Sequence, residues 1–371
     1  MSIDPQKQDL KIGIVGAGAM GRGIAQVSAT GGMPVYIFDA ADGAAAAAKD
    51  FIVSMINRSM EKGRMEKEEG EAAIARLHVA ENLDGLADCD LVVEAIVENI
   101  DIKQKVFQQL EEIVRPETII ASNTSSIRIS SIASACNHRE RIAGLHFFNP
   151  VPLMKLVEVI NGTDTSAEVT EALEVIGKRM GRVPVVVKDA PGFLVNLGGR
   201  AYSTESLRIV SEGVATPFQV DAVMREACGF RMGPFELLDL TGIDVNFPVS
   251  QIIYNGYFQD KRLSTYPLHE SMMEAGRLGK KTKAGFYAYS DDGTIIRPDV
   301  EEEISAAAAT QIVLAEPSEA LEKLMGEIGV KILPSDDGTS PILADPIGED
   351  CTAVSVRLGV DPKRLVAIDT H

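Results

Sequence analysis

The stretch KIGIVGAGAMGRGIAQVSAT, residues 11–30, decides the fold class. Lys11 to Gly16 is a short apolar run that stops at glycine, the pattern of a strand buried on both faces of a parallel sheet. Gly16-Ala17-Gly18-Ala19-Met20-Gly21 follows as GxGxxG, and Met20 to Thr30 reads as a helix. Gly16 allows the tight turn, Gly18 lets the backbone approach a pyrophosphate, and Gly21 lets helix and strand pack closely. Free N–H groups and the dipole at the helix start favour negative charge. Pro34 to Asp39 (PVYIFD) reads as a second strand, which completes a βαβ unit. Asp39 stands 18 residues beyond Gly21. A carboxylate there bonds both ribose hydroxyls and repels a 2′-phosphate, so the pattern favours NAD over NADP. A glycine-rich turn alone would be a weak signal, but here strand, helix and acid are in register. Met20 reads as a packing residue.

Outward from this unit, residues 44–61 and 66–77 read as helices. Further strands are expected at 90–95, 118–122, 141–147, 155–160 and 183–188. Strands alternating with helices predict an α/β, Rossmann-type doubly wound sheet over residues 1–190. At Pro191-Gly192 the texture changes. Residues 191–290 read as a second, all-helical domain, closed by the polar turn Ser290 to Thr294. Residues 291–371 form a small, incomplete-looking α/β extension. There an Ala-rich helix and a helix at 317–328 lead into Val330–Leu333, then strand, helix and strand (SPILAD, 349–358, LVAIDT). No internal repeat is evident.

The chain has 371 residues and a formal net charge of −18, with 54 acidic against 36 basic residues. That excess repels nucleic acid and anionic membrane, which excludes both as main partners. An anionic ligand would need a locally positive pocket or backbone N–H groups. Cys89, Cys136, Cys228 and Cys351 have no paired spacing and no CxxC, so reduced structural thiols are expected and no metal site. The polar start and the lack of a long apolar run predict a cytoplasmic protein.

Oxidation of an alcohol by hydride transfer needs a base for the hydroxyl proton. Of the histidines, His146 in LHFFNP lies just past a strand's carboxyl end, where ligands bind α/β sheets. His78 and His138 read as exposed or loop residues, and His269 lies in the helical half. Glu158 lies 12 residues beyond His146 in the next strand. The turn at Asn149-Pro150-Val151-Pro152 folds that strand back, so the two side chains could meet. A carboxylate on the far imidazole nitrogen would fix the tautomer. By position alone His146 reads equally as a catalytic base or as a hydrogen-bonded core histidine. The polar cluster Asn123 to Ser126 follows another strand, as pocket linings do, although Ser126 reads better as a helix cap. Asn196, after the Pro-Gly break, reads by itself as a linker residue.

Taken together, GAGAMGRGIA, DLVVEAIVENIDIKQKVF, ASNTSS, GLHFFNPVPLMKLVEVI, KDAPGFLVN, MGPFELLDLTGIDV and GKKTKAGFY resemble the L-3-hydroxyacyl-CoA dehydrogenase family over residues 11–289. The resemblance implies NAD-dependent oxidation of an acyl-CoA at its 3-hydroxyl. It implies His146 as general base and Glu158 as its orienting carboxylate. It implies Ser125 and Asn196 as holders of the 3-oxygen, with Gly16, Gly18, Gly21 and Asp39 on the dinucleotide. Glu98, Lys103, Asn149 and Lys281 match further cofactor-contacting positions, and the charged helix around Lys62 the region that meets CoA. A homodimer through the helical domain is implied as well. The scaffold also serves free hydroxy acids in carnitine- or sugar-acid-type relatives, and non-catalytic NAD(H) binding when site residues are lost. Here all four site residues are present.

The sequence departs from the family pattern in two places. Leu197-Gly198-Gly199-Arg200 follows Asn196 where many members carry Arg and an apolar helix, so a loosened helix start and an altered acyl pocket are expected. The tail resembles a segment of longer members, found among degradative enzymes for aromatic or dicarboxylic acyl-CoAs, which continue into a second helical domain. That predicts an abbreviated long form.

Overall fold

The computed structural model describes residues 3–297, 309–346, 348–368 and 370. By internal contacts the chain divides into two units, Met1–Ile296 and Arg297–His371.

The first unit is built on eight strands: β1 (Ile12–Val15), β2 (Val35–Phe38), β3 (Leu77–Val79), β4 (Leu91–Glu94), β5 (Ile119–Ser122), β6 (Ile142–Phe147), β7 (Leu156–Asn161) and β8 (Val183–Lys188). Their order in the sheet is β3-β2-β1-β4-β5-β6-β7-β8. Strands β1 to β6 pair in parallel, as βαβ crossovers require, and β7 turns back antiparallel to β6. Every residue of β1, β4 and β5 is buried, because helices cover both faces. Their sequences accordingly read as unbroken apolar runs rather than alternations. Polar side chains cap several of the crossover helices. Asn99 Oδ1 accepts from Ile102 N at 3.1 Å to open Ile100–Ile113. Ser166 Oγ accepts from Val169 N to open Ala167–Arg179.

The expected strands and helices of this sheet are present, and one strand is added. Residues 77–79, expected to end a helix and begin an exposed segment, form the edge strand β3. Three residues are too few for a periodic signal, and pairing with β2 decides the conformation. His78 remains exposed and stacks on Tyr36 with ring centroids 5.0 Å apart.

The helical part follows from Val195 to Glu274. As expected from Gly198-Gly199, its first helix breaks: Val195–Gly198 ends and Arg200–Ser211 begins. A short hairpin, Ala288–Tyr289 with Ile295–Ile296, adds two strands to what read as wholly helical, and the SDDGT turn is its loop. Leu207, Phe235, Leu238 and Ile243 form the core, with Tyr287 and Tyr289 of the hairpin packed into it. Asp239 is buried here and accepts from Phe286 N (2.9 Å), Tyr287 N (2.9 Å) and Tyr289 Oη (3.0 Å). Asp221 likewise accepts from Phe235 N and Tyr287 Oη. Two acids thus stitch the hairpin to the helices.

The second unit is a four-stranded parallel sheet: Lys331–Ile332, Gln311–Leu314, Ile342–Ala344 and Leu365–Ala367, in that spatial order. Helices Glu319–Ile328 and Cys351–Leu358 lie between its strands in sequence. The strand Gln311–Leu314 was not expected, since a run of four apolar or amphipathic residues beside alanines is indistinguishable by period from a helix. The expected Ala-rich helix falls on residues around 298–308, outside the described residues. Among the described residues no helix is long and apolar enough to cross a membrane.

Replacing Asp239 with Ala would leave two backbone N–H groups and a tyrosine hydroxyl unpaired. We expect unfolding free energy in urea to fall by roughly 3 kcal/mol. A loss under about 1 kcal/mol would show that water replaces the carboxylate and that this stitch is dispensable.

Candidate active site

The carboxyl ends of β1, β4, β5 and β6 lie along one edge of the sheet, and their loops line one cleft of about 390 Å³. From the sheet side come Met20, Ala95, Ile96, Glu98, Asn123 and Ser125, together with His146 and Asn149. From the helical side come Asn196, Arg200, Thr241, Val245, Asn246 and Val249.

His146 ends β6 and sits opposite Glu158 of β7 in the ladder. Cross-strand partners share a face, so the two side chains meet. His146 Nδ1 lies 2.7 Å from Glu158 Oε2. Glu158 is wholly buried, and its other oxygen accepts from Leu194 N and Val195 N, each at 2.9 Å. Phe148 and Phe193 hold the imidazole, with ring centroids at 4.5 and 5.9 Å. With Nδ1 taken, Nε2 is the nitrogen available to the cleft. Asn196 Nδ2 reaches Ser125 O at 3.4 Å, so these two residues face the same space.

The loop after β5 is held by Glu98. Its Oε1 accepts from Thr124 Oγ1 (2.5 Å), Ser126 Oγ (2.8 Å) and Ser125 N (3.1 Å), and its Oε2 lies 3.3 Å from Lys103 Nζ. Burial alone would raise this carboxyl; the Lys103 charge and the Thr124 and Ser126 hydroxyls outweigh it and hold it below the ordinary glutamate value. Lys103 is buried and also bonds Glu94 Oε1 at 2.7 Å. It is not among the cleft-lining residues, so its part is to fix Glu98 and Glu94. Lys281 likewise lies outside that set and pairs with Asp244. Lys62 is exposed at the end of the helix Ala44–Glu61, away from the cleft lining.

The glycine loop fits a dinucleotide. Gly16 has φ +105°, and a Cβ there would lie 2.6 Å from Ala95 O. A Cβ on Gly21 would lie 1.7 Å from Gly16 O, so helix and strand touch there. At Gly18 nothing lies within 4 Å of where a Cβ would stand, and no side chain caps the helix it opens. That leaves space and free N–H groups together, as a pyrophosphate requires. Asp39 lies against the same loop, Oδ2 accepting from Ala17 N at 2.7 Å. Ala40, Ala41 and Asp42 follow it, so no adjacent cation invites a 2′-phosphate.

The 3-hydroxyacyl-CoA dehydrogenase NAD binding domain family matches residues 11–190, and the 3-hydroxyacyl-CoA dehydrogenase C-terminal domain family matches residues 192–289. The chain belongs to the 3-hydroxyacyl-CoA dehydrogenase family. It is 38% identical to the 3-hydroxyadipyl-CoA dehydrogenase of Escherichia coli over 344 residues, covering 85% of this chain and 72% of that one. It is 41% identical to a probable 3-hydroxybutyryl-CoA dehydrogenase of Deinococcus radiodurans over 280 residues, covering 76% of this chain and all of the relative. A crystal structure of 3-hydroxybutyryl-CoA dehydrogenase from Escherichia coli superimposes with a TM-score of 0.85 at 35% identity. That match covers 98% of this chain and 73% of the other, so it takes in the second unit as well. An (S)-3-hydroxybutyryl-CoA dehydrogenase from Ralstonia eutropha gives a TM-score of 0.73 at 38% identity, covering 76% of this chain and 99% of the other. The family is one of NAD-dependent oxidoreductases, and NAD is the cofactor of this chain.

Three roles in the dehydrogenase site were not read from the sequence. Asn123 Oδ1 accepts from Phe147 N at 2.9 Å and ties the β5 loop to the His146 strand. The backbone N–H groups of Leu194 and Val195 carry no side-chain signal at all. Arg200 stood out only as part of a departure from the usual pattern, and its place in the cleft lining carried no signal.

Gly18, beside open space, and Gly21, packed on Gly16 O, let cofactor binding be tested apart from folding. Gly18→Val should keep the unfolding midpoint and raise the NADH dissociation constant at least about 10-fold in a fluorescence titration. Gly21→Ala should instead destabilise the fold. Unchanged NADH affinity in Gly18→Val would mean the pyrophosphate lies elsewhere.

Proposed function

We propose that this enzyme reversibly oxidises (S)-3-hydroxyacyl-CoA to 3-oxoacyl-CoA with His146 as general base and Glu158 as its partner. The observation that carries the reading is the His146 Nδ1–Glu158 Oε2 contact of 2.7 Å, with His146 lining a cleft that Met20 of the glycine loop also lines. NAD, when bound, supplies the hydride acceptor. His146 Nε2 takes the C3 hydroxyl proton in oxidation and returns it to the C3 oxygen in reduction. Glu158 keeps the neutral ring protonated on Nδ1 and faces the imidazolium once it forms. The Ser125 hydroxyl and the Asn196 amide donate to the C3 oxygen. The loop shaped by Gly16 and Gly21 receives the pyrophosphate at Gly18, and Asp39 takes a ribose. Glu98 and Asn149, which line the cleft, serve the cofactor end, and Lys103 acts there through Glu98.

In this reading residues 1–190 bind NAD, 191–290 complete the acyl site, and 291–371 form an appended unit. The enzyme works in the cytoplasm as a homodimer. Exposed Leu237, Leu240, Ile252 and Phe258 of the helical part supply apolar surface for the partner copy.

Loss of NADH absorbance tests the reading, with acetoacetyl-CoA beside free acetoacetate and beside NADPH. Rapid loss is expected with the CoA ester and NADH alone. His146→Gln should bind NADH normally and lose kcat about 10³-fold or more. Full activity in that variant, or equal rates with free acetoacetate, would overturn the assignment.

A further inference from the structure

Arg200 is only 5% exposed, yet it lines the cleft. It opens the helix Arg200–Ser211, at the end where the helix dipole is already positive. Its Nε donates to Asn196 O at 3.3 Å and its Nη1 to Ser250 Oγ at 2.6 Å, both neutral acceptors. Its Nη2 donates to no described protein atom, although it is not sealed from solvent. No carboxylate among the described residues forms an ion pair with it, and burial pushes its pKa below the ordinary guanidinium value with no acid restoring it. Its titratable neighbour His269 offers no anion: burial and the Arg200 charge hold that imidazole down at about 4. Glu98, the acid in the cleft lining, is committed to Lys103, Thr124 and Ser126 at the cofactor end.

A buried cation without a counter-ion is unfavourable unless a ligand completes it. The glycine loop and Glu98 put the cofactor on the sheet side of the cleft. The acyl chain therefore extends to the helical side, where Val245 and Val249 give apolar wall and Arg200 gives the charge. We propose that Arg200 is the counter-ion for a carboxylate at the far end of the acyl chain, so that the preferred substrates are CoA thioesters of 3-hydroxy dicarboxylic acids. This rests on the dehydrogenase reading above and adds a substrate class to it. A free 3-hydroxy acid would offer Arg200 the same chemistry without CoA.

The test compares kcat/KM with NAD for 3-hydroxyadipyl-CoA and 3-hydroxyhexanoyl-CoA, which have equal chain length with and without the terminal carboxylate. Free 3-hydroxyadipate and 3-hydroxybutyryl-CoA are run beside them. Wild-type enzyme should prefer the adipyl ester by roughly 100-fold, mostly through KM. Arg200→Met should abolish that preference, and Arg200→Lys should keep part of it. Equal kcat/KM in wild-type enzyme, or a preference that survives Arg200→Met, overturns the proposal. The wild-type comparison decides even where the Met variant does not fold. Preference for free 3-hydroxyadipate over its CoA ester overturns it in favour of a free-acid substrate. Turnover of the neutral esters without an adipyl preference leaves the dehydrogenase reading standing, whereas no turnover of any ester overturns both.

Discussion

The site depends on one wholly buried carboxylate. Glu158 has no solvent, and a bare charge in such a place would be prohibitively costly. It is tolerated because both oxygens are satisfied: one by His146 Nδ1, the other by the N–H groups of Leu194 and Val195. These partners come from β6 and from the segment that leads out of the sheet domain. The same carboxylate therefore selects the imidazole tautomer and pins the start of the helical part beside the sheet. Asn196, the next residue, is delivered to Ser125 as a consequence. The geometry of the His146 pair and the placement of the helical part share one set of hydrogen bonds.

A second polar cluster, buried at Glu94 and Lys103, supports the neighbouring loop. Lys103 lies between Glu94 and Glu98, and Glu94 Oε2 also accepts from Ser122 Oγ at 2.7 Å. Two acids and one lysine fix the ends of β4 and β5, so the Ser125 loop is held by bonds to a rigid sheet. Such a network is favourable only when each member is satisfied, which is the case here. It also explains why a lysine in a cofactor-site motif does not reach the cleft: its ammonium is committed to holding the residues that do.

Much of this was legible in the sequence because its signals are local. The glycine loop, the buried strands and the Gly198-Gly199 break each follow from short-range backbone and periodicity rules. The His146–Glu158 contact was legible too, since the turn at Asn149 to Pro152 folds the next strand back beside β6. Signals that are non-local or carried by backbone were not legible. The three-residue strand at Leu77 and the strand at Gln311 exist because neighbours pair with them. The N–H groups behind Glu158 belong to no motif. The lack of a counter-ion at Arg200 is a property of everything around it in space, and residue order does not display it.

The central claim is that His146 and Glu158 act as a single unit, and a double-mutant cycle on kcat for acetoacetyl-CoA reduction tests it most directly. Glu158→Gln keeps an acceptor for Leu194 and Val195 but turns an amide N–H toward Nδ1, which forces the wrong tautomer. The account predicts a loss of about 10²-fold or more for this variant alone, with NADH affinity unchanged, and a double variant with His146→Gln no worse than His146→Gln alone. Losses that multiply would show two residues acting independently and would contradict the account.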